Sequence, residues 1–406
     1  MVSPLLGNWS LDPDITFLNH GSFGACPTVV LAEQRRLRDQ LEQEPVRFFV
    51  REYQDLLDGA RDALASFLGA PGDELAFVTN ATMGCNTVLR CLALSPGDEL
   101  VVTDHGYNAC RMAVDFVTER AGARVVVVPL PFPIEGPEVV EQAVLAAVTE
   151  RTRCVLIDHV TSPTGLVFPV QALVAALRER GVFVMVDGAH APGMLPLDLS
   201  ALGADAYTGN AHKWLCAPKG AAFLHVRAEH HRWVRPLSIS HGASAPDAQR
   251  SRFLQEFDWC GTADPSAWLS LPAALRFMDG VLPGGWDAVR AANRAKVLAG
   301  RERLCEALGQ EPAAPESMIG SLAALPLPPS PPRVGVGQWT IDPLADRLFR
   351  EQQIEVPVSD WSSPRCRLLR ISAQVYNEAG EYETLAALLP GLLADEARQA
   401  SAESSP

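Results

Sequence analysis

Lysine is the scarcest charged residue in this chain of 406 residues. Only Lys213, Lys219 and Lys296 occur, although lysine and arginine together number 34. Two of these three lysines lie within "GNAHKWLCAPKG", residues 209–220. A chain that uses arginine almost everywhere else keeps a lysine directly after a histidine here, so Lys213 is the first residue to explain.

The chain also lacks an excess of positive charge, a long apolar run and an export signal. Its formal net charge of −14 argues against nucleic acid or an anionic membrane as the main partner, because both bind basic surfaces. No stretch of about 18 apolar residues occurs, so we expect no membrane span. The N-terminus "MVSPLLGNWSLDPD" has no basic region followed by an apolar run, which predicts a cytoplasmic protein.

Two motif absences remove further possibilities. The nine cysteines form no CxxC pair and no cluster with zinc-ligand spacing, so we expect reduced thiols and no metal site. The first predicted strand is not followed by GxGxxG, and GxxxxGK[ST] does not occur. A dinucleotide site or a Walker-type phosphate site is therefore poorly supported.

Short apolar runs alternate with longer amphipathic stretches between about residues 50 and 230. The runs are apolar throughout, as in a mostly parallel sheet with helices on both faces. After residue 230 we expect a long loop, helices, a Pro-rich excursion and a smaller α+β domain. The predicted strands cover residues 74–79, 98–103, 124–130, 153–160 and 181–188; the loop covers 236–258, the helices 265–280 and 285–308, and the excursion 325–333.

An acid and a lysine follow two of the predicted strands. Asp187 closes the run "VFVMVD", where a carboxylate is costly unless a partner compensates it, and Lys213 follows "ADAYT". Ligands of open parallel sheets bind at such strand ends. Pyridoxal phosphate (PLP) requires a lysine for its aldehyde, an acid for its ring nitrogen, and hydroxyl or amide groups for its phosphate. Taken singly, Asp187 is better interpreted as a turn cap and Lys213 as a solvated surface residue, and it is their spacing at two strand ends that favours a shared site.

Seven segments carry a resemblance to a known family. They are "LNHGSFGACP", "EPVRFF", "DHGYNA", "DHVTSPTG", "VDGAHAPG", "GNAHKWL" and "RISAQVYN", in this order between residues 16 and 377. The chain resembles the class V group of PLP-dependent aminotransferase-fold enzymes, and within it the isopenicillin N epimerase-like branch.

The resemblance implies the α/β architecture called fold type I of PLP-dependent transferases. Its large domain has a mostly parallel seven-stranded sheet between helices, and its smaller C-terminal domain is α+β. The implied parts are an N-terminal arm joining the small domain (1–25), the large PLP-binding domain (26–280), the small domain (281–397) and a disordered tail (398–406). A homodimer with shared active sites is also implied.

The resemblance further implies which residues hold the cofactor. Lys213 binds the PLP aldehyde and later moves the Cα proton, while Asp187 keeps the ring nitrogen protonated. His105 stacks on the ring face, with Tyr107 as the runner-up; the alternatives are an ordinary strand-end histidine and a half-buried tyrosine. The helix that begins at "TNATMG" presents its positive end to the phosphate. The residues expected at the ring oxygen are His190 and Ser162, and those expected around the phosphate are Ala81, Thr82, the Met83 amide, Asn210, His212 and, from a partner subunit, Thr262.

The prediction of how substrate binds depends on one arginine, and the prediction of the reaction depends on the absence of a cysteine. Arg370 resembles the arginine that binds the substrate carboxylate, for which a guanidinium fork is well suited. The resemblance places Arg47, Asn19 and His20 at the entrance, near the substrate side chain. Cysteine desulfurases of this class carry a nucleophilic cysteine on a loop ahead of this arginine, but residues 351–365 contain none, and Cys366 lies in a predicted strand. A persulfide-forming desulfurase is therefore disfavoured.

The leading hypothesis is a PLP-dependent enzyme acting at Cα of an amino-acid-like substrate, by epimerisation or by aminotransferase-class chemistry. A C–S or β-lyase acting on cysteine or a cysteine conjugate is the alternative, because these reactions share the first proton abstraction. A PLP-binding protein without catalysis is disfavoured by the complete set Lys213, Asp187 and Arg370, and a nucleotide-binding module by the missing glycine motifs. Substrate, reaction type, ring-stacking residue and any acid on the second face stay open at this point.

Overall fold

A sheet of seven strands lies at the centre of the structure. The structure is a computed structural model that describes residues 3–244, 250–329, 341–362 and 365–403. The strands are β1 Thr16–Phe17, β2 Leu75–Val78, β3 Glu99–Thr103, β4 Arg124–Val128, β5 Thr152–Asp158, β6 Phe183–Asp187, β7 Ala206–Asn210, β8 Ala222–Val226, β9 Leu322–Leu327, β10 Ile354–Glu355, β11 Val358–Ser362 and β12 Arg365–Ser372.

The α-helices alternate with the strands in the first half of the chain and dominate the second half. They are α1 His20–Phe23, α2 Thr28–Gln43, α3 Pro45–Arg47, α4 Tyr53–Leu68, α5 Ala81–Cys91, α6 Asn108–Ala121, α7 Pro137–Ala147, α8 Val170–Glu179, α9 Leu199–Leu202, α10 Arg252–Asp258, α11 Ser266–Leu269, α12 Leu271–Gly280, α13 Gly285–Leu308, α14 Pro343–Gln352 and α15 Ala379–Glu403.

The order of strands in the large sheet is β2-β8-β7-β6-β5-β3-β4. Strands β3 to β7 run parallel, and β8 is antiparallel to both of its neighbours. From β3 the chain builds the sheet outward to β4, and from β5 it builds in the opposite direction. A crevice forms where the order of an open sheet reverses, so the topology places a ligand site beside the carboxyl ends of β3 and β5. The predicted seven-stranded, mostly parallel sheet is confirmed.

Alternating side chains of the central strands enter two separate cores. In β5, Val155 and Ile157 belong to the core beneath α7 and α8, whereas Cys154 and Leu156 belong to the core beneath α5 and α6. Successive residues of a strand point to opposite faces, so a strand covered on both faces must be apolar at every position. This burial explains why the central strands read as continuous apolar runs.

A second, smaller region forms the C-terminal part of the chain. Its three-stranded antiparallel sheet has the order β11-β12-β9, and the long helix α13 packs against α15 and β9. Strand β1 pairs in parallel with β10, which brings residues 16 and 17 to this region. The fold type is as the sequence predicted; the domain boundaries at residues 25, 280 and 397 stay predictions.

Two local expectations from the sequence are wrong. The loop expected over 236–258 contains the helix α10, whose first turn Ser251 caps by accepting from the Leu254 amide, a pattern that the surrounding small residues obscured. The tail expected to be disordered from residue 398 is helical up to Glu403, because it continues α15. The Pro-rich excursion ends with residues outside the described ranges. No helix within those ranges has the length and apolar character needed to cross a membrane.

Candidate active site

A cavity of about 480 Å³, which we call the inner cavity, lies at the carboxyl ends of three central strands. Asp158, Asp187 and Asn210 are the last residues of β5, β6 and β7, and all three line it. Parallel strands bring their ends to one edge of the sheet, so these side chains converge although they are distant in sequence. Lys213 and His190 complete this wall of the cavity.

Lys213 projects into the inner cavity from the turn after β7. Its Nζ lies 2.9 Å from His190 Nε2, and the Trp214 indole donates to His190 Nδ1 at 3.4 Å. Because Nδ1 accepts, Nε2 of the neutral imidazole carries the proton and donates it to the lysine amine. Burial, helped by the charge of Arg370 and opposed by that of Asp187, lowers the pKa of Lys213 from 10.5 to about 7. The amine is therefore available as a nucleophile near neutral pH.

His20 holds the backbone of Lys213 and does not line the cavity entrance as expected. Its Nε2 donates to the Lys213 carbonyl oxygen at 3.0 Å, and its Nδ1 accepts from the Tyr376 hydroxyl at 2.8 Å. The ring is fully buried, which lowers its pKa to about 3. Asn19 is likewise internal, because its amide donates to Glu355 at 3.0 Å. Both predictions are wrong because the N-terminal segment packs beneath the lysine turn.

Asp187 and Asp158 lie side by side in the register of β6 and β5. Asp187 Oδ1 accepts from the Ala189 amide at 2.9 Å, and Oδ2 accepts from the Cys110 thiol at 3.2 Å. Burial and the charge of Asp187 hold the pKa of Asp158 well above its usual range. Burial also raises the pKa of Asp187, but hydrogen bonds from Cys110, the Ala189 amide and Cys85, together with the charge of Lys213, favour the charged form. The negative charge of the pair therefore resides on Asp187.

The start of α5 borders the inner cavity, as predicted, but its amides are used differently. Asn80 caps the helix by accepting from the Met83 amide at 2.8 Å, and Asn210 accepts from the Ala81 amide at 2.8 Å. The Met83 prediction is wrong: its amide is occupied and its side chain lines another cavity. The Thr82 amide has no partner among the described residues, and Thr82 lines the cavity. One free amide and the positive helix end remain for an anion.

His212 lines the inner cavity near this helix start. Its Nδ1 donates to the Ala221 carbonyl oxygen at 3.1 Å, so Nε2 of the neutral ring is an acceptor. Burial first, and then the charge of Lys213, lower its pKa to about 4. A phosphate group at Nε2 would oppose this shift, because a nearby negative charge favours the imidazolium.

His105 does not face the inner cavity, which contradicts its predicted stacking role. The ring is fully buried, with Nδ1 at 2.9 Å from the Thr164 hydroxyl and Nε2 at 3.3 Å from the Leu130 carbonyl oxygen. It packs edge-on against Trp361. Tyr107, two residues later, lines the cavity and is 46% exposed. The turn after β3 points the histidine inward and the tyrosine toward the site, so the runner-up is the better aromatic candidate.

Arg370 is a buried cation without a carboxylate partner among the described residues. One of its terminal nitrogens donates to the backbone oxygen of Ser162 and, at 3.3 Å, to that residue's hydroxyl; the other donates to the Ser22 hydroxyl at 3.1 Å. Its Nε is buried and unsatisfied. Burial lowers the pKa of Arg370 to about 10, which leaves the group charged at neutral pH. An unpaired buried guanidinium is costly, so this geometry suits an anionic ligand.

A second cavity of about 970 Å³, the outer cavity, opens beyond this arginine. Tyr107 and Ser162 line both cavities, so the two spaces adjoin. Trp361 and Cys366 also line the outer cavity. Cys366 is half-buried in β12, as expected for a packed residue, and burial raises the pKa of its thiol. A protonated thiol in a strand is a poor nucleophile.

Arg47 and Thr262 lie apart from the inner cavity within one chain. Arg47 forms an ion pair with Glu52 at 3.0 Å on the helix surface. Thr262 is exposed and lines a separate cavity of about 280 Å³ together with Met83. Thr79 borders both that cavity and the inner one. A contribution of Arg47 or Thr262 to the site requires another subunit.

Sequence reasoning missed several residues that shape the site. Asn80 precedes the predicted helix, so its capping role had a recognisable signal. Asp158 was visible as a strand-end acid, but its pairing with Asp187 needs the strand register. Ser22 and Cys110 gave no signal, because their contacts to Arg370 and Asp187 span most of the chain or separate elements.

These features together define the site of a PLP-dependent enzyme. They are a lysine amine of near-neutral pKa, an acid on the adjacent strand, the start of a helix and an arginine without a carboxylate partner among the described residues. The family model "Aminotransferase class-V" matches residues 17–311. The chain belongs to the class V aminotransferase family, whose enzymes use PLP, and the family recognised in the sequence is thereby confirmed.

Curated relatives cover nearly the whole chain. It is 37% identical to the isopenicillin N epimerase of Amycolatopsis lactamdurans, with 94% of this chain and 96% of the relative covered. The isopenicillin N epimerase of Streptomyces clavuligerus is 34% identical, with 95% and 97% covered. A probable chloroplastic L-cysteine desulfhydrase of Arabidopsis thaliana is 32% identical, with 95% and 84% covered.

Solved structures share the fold. The cystine C–S lyase C-DES, in complex with cysteine persulfide, superposes with a TM-score of 0.75 at 24% identity, covering 94% of this chain and 98% of the other. The apo cysteine desulfurase from Thermococcus onnurineus NA1 gives a TM-score of 0.76 at 16% identity, covering 97% and 99%.

Proposed function

We propose that this protein is a PLP-dependent epimerase acting at Cα of an amino-acid-like substrate with a large side chain. The observation that carries the proposal is the pair of buried cations. About half of the Lys213 amines are unprotonated at pH 7, because burial lowers the pKa to about 7, whereas Arg370 remains charged without a counter-ion among the described residues. One cation suits an aldehyde and the other suits a carboxylate.

The inner cavity fits the cofactor. Asp187 accepts two hydrogen bonds and keeps a free acceptor direction on the cavity side, which suits a protonated ring nitrogen. The Thr82 amide and hydroxyl at the start of α5, together with His212, suit the phosphate. PLP supplies an electron-withdrawing ring that makes the Cα–H bond of a bound amino acid acidic.

The protein side chains then orient the substrate and move its proton. The Arg370 fork holds the carboxylate and so fixes which bond of Cα faces the lysine. Lys213 Nζ removes the Cα proton, and His190 Nε2–H restrains the amine at 2.9 Å. Return of the proton on the opposite face requires a second donor. Tyr107 lines both cavities and its pKa is raised, chiefly by burial, so its hydroxyl stays protonated and is the candidate for this role.

The outer cavity favours a large substrate. Its volume of about 970 Å³ is roughly twice that of the inner cavity and far exceeds what the side chain of free cysteine occupies. The two relatives with the highest identity reported above are named isopenicillin N epimerases. The size of the outer cavity therefore supports a large substrate, and the similarity supports epimerisation.

A C–S or β-lyase is the second candidate. It is supported by two relatives, one named a probable and the other a putative L-cysteine desulfhydrase, at 32% and 33% identity. Such a reaction needs a leaving group at Cβ and no second proton donor, so Tyr107 distinguishes the two candidates. A large cysteine conjugate also fits the outer cavity.

Assembly and location are part of the proposal. We infer a homodimer in which Thr262 of one subunit reaches the phosphate end of the other site and Arg47 reaches its entrance. The exposed apolar side chains Val46 and Val50 next to Arg47 support a covered surface there. Sedimentation should give a dimer; a monomer that holds PLP tightly would contradict this arrangement. A cytoplasmic location remains a prediction.

The reaction is tested with PLP-loaded protein and a panel of L-amino acids and cysteine conjugates. For substrates with long side chains, we expect loss of chirality at Cα and no release of pyruvate. Chiral chromatography measures the loss of chirality. Tyr107→Phe should abolish epimerisation while Cα–H exchange in D₂O persists. Pyruvate release that survives Tyr107→Phe would replace the epimerase proposal with the lyase.

A further inference from the structure

Two thiols lie behind Asp187, on the side away from the inner cavity. Cys110 comes from the first turn of α6, and Cys85 comes from α5. The Cys110 Sγ donates to Asp187 Oδ2 at 3.2 Å, and the sulfur atoms of both cysteines and the carboxylate lie within 4.8 Å of one another. All three residues are buried. One oxygen of this carboxylate therefore accepts a hydrogen bond from a thiol, whereas an amide or a hydroxyl is the usual donor to a carboxylate.

The Cys110 bond matters because Asp187 has few other partners. Its Oδ1 accepts from the Ala189 amide at 2.9 Å, Cys110 lies at hydrogen-bond distance from Oδ2, and the Cys85 thiol makes a further side-chain interaction with the carboxylate. A buried carboxylate with a single donor is free to rotate about its last bond, whereas donors on both oxygens fix the plane of the group. The hydrogen bond with Cys85, and then burial and the nearby acids, keep the pKa of Cys110 well above its usual value, so the thiol retains the proton that it donates.

The chemistry of a thiol adds a second consequence. An S–H group is a weak donor, so it orients the carboxylate while withdrawing little of its negative charge. The neighbouring Asp158 adds no second charge, because it lies beside Asp187 in the sheet and holds its own proton. Asp187 then keeps most of its basicity for a group in the inner cavity.

We propose that Cys110 is a positioning residue whose S–H bond fixes the plane of Asp187 and directs its free lone pair toward the ring nitrogen of PLP. The inference rests on the proposed function for the identity of the cofactor. It differs from simple packing, in which Cys110 serves only as a small apolar residue. Cys154 offers the matched comparison: it is a buried cysteine of the same core, and in the described part of the chain it makes no hydrogen bond to Asp187.

The test compares two cofactors on the apoprotein. PLP has the ring nitrogen, and 1-deaza-PLP has a carbon at that position. Cys110→Val removes the donor and should weaken PLP binding by about five- to tenfold while leaving the affinity for 1-deaza-PLP unchanged. Cys110→Ser keeps a donor and should restore PLP affinity, and Cys154→Val should change neither. Affinities are measured by titrating the apoprotein with each cofactor and monitoring the quenching of tryptophan fluorescence.

Several results would overturn the inference. They are an equal weakening of both cofactors by Cys110→Val, the same loss in Cys110→Ser, or the same selective loss in Cys154→Val. If the valine variant does not fold, Cys110→Ala makes the same comparison without added volume. A wild type that binds PLP in the expected pattern but transforms no amino acid would leave this inference standing and refute the proposed function alone.

Discussion

The inner and outer cavities differ in the structural elements that form their walls. The inner cavity is walled by the ends of adjacent strands of one sheet, and its polar groups are tied to one another, as in the contact of Lys213 with His190. The outer cavity is walled by the turn after β3 and by β11 and β12 of the second sheet. Its volume is about 970 Å³, compared with about 480 Å³ for the inner one.

This difference separates reaction from substrate choice. Groups that must hold a cofactor and move a proton need fixed positions, which buried strand ends and mutual hydrogen bonds supply. A wall assembled from two sheets can change its side chains without disturbing that arrangement. We therefore expect substitutions in the inner cavity to abolish the reaction. Substitutions in the outer cavity should change which substrate is used, except at Arg370, which holds the carboxylate common to all amino-acid substrates.

The largest effect is expected from Lys213→Ala. Loss of the amine should lower turnover by roughly a thousandfold or more, because both attachment of the cofactor and movement of the proton depend on it. Reduction of the wild type with borohydride should fix the cofactor to Lys213, as peptide mass mapping will show. Lys219→Arg is the control and should behave as wild type; fixation at Lys219 or Lys296 would overturn the assignment.

Asp187→Asn should produce the next largest loss, about a hundred- to a thousandfold in turnover, because the neutral amide cannot stabilise a positive ring nitrogen. Lys213 should still capture PLP in this variant, which an absorption spectrum will show. Asp158→Asn is the matched control, since that carboxyl group is already neutral. Equal losses in both variants would show that the charge does not reside on Asp187.

Arg370→Ala should weaken binding of the substrate or of its transition state by about 30- to 1000-fold, corresponding to roughly 2–4 kcal/mol for a bidentate carboxylate contact. Arg370→Lys keeps the charge without the fork and should recover part of the loss. Titrations with amino acids and with the matching decarboxylated amines measure the effect. The assignment of Arg370 to the substrate carboxylate would be refuted if Arg370→Ala still prefers amino acids to amines as strongly as wild type does.

The rate of PLP capture by the apoprotein should depend on pH through Lys213. Only the neutral amine attacks the aldehyde, and burial lowers its pKa from 10.5 to about 7. The rate should therefore rise about tenfold per pH unit below this value and level off above it. Stopped-flow absorption measures the rate. A rise that continues toward pH 10.5, the ordinary lysine value, would show that the amine is not buried in solution.

The smallest effect is expected from Ser359→Phe, which narrows the outer cavity. Ser359 is exposed on β11 and lines that cavity. Substrates with long side chains should lose about tenfold in kcat/KM through steric exclusion, while alanine should be unaffected. Ser359→Ala is the control. A loss that is equal for long and short substrates would mean that the side chain does not occupy the outer cavity.

The sequence predicted the inner cavity better than the outer one. Lys213 and Asp187 were identified from their positions at predicted strand ends, which meet at one edge of a parallel sheet, and Asn210 and His212 from the family resemblance; all four line the inner cavity. The resemblance favoured His105 over Tyr107 as the ring-stacking residue, whereas the structure turns Tyr107 toward the inner cavity. Their sequence neighbourhood is the same, and only the conformation of the turn after β3 decides which side chain faces the cavity.

Residues of the N-terminal segment show a second limit of prediction from sequence. Asn19 and His20 were recognised as important but were placed at the entrance, whereas His20 supports the Lys213 carbonyl and Asn19 contacts Glu355. Motif resemblance records that a residue matters without recording its direction. Their contacts join positions almost 200 and more than 300 residues apart, which no local pattern encodes.

The sequence by itself predicted the family and, through that resemblance, the seven-stranded sheet and the candidate lysine Lys213, because short motifs are local properties of the chain. Only the tertiary structure decided that Asp158 shares its environment with Asp187, that Cys110 donates to that carboxylate and that Arg370 has no carboxylate partner among the described residues. These facts depend on strand register and on burial. Burial changes the cost of every charge, and it exists only once distant segments have packed together.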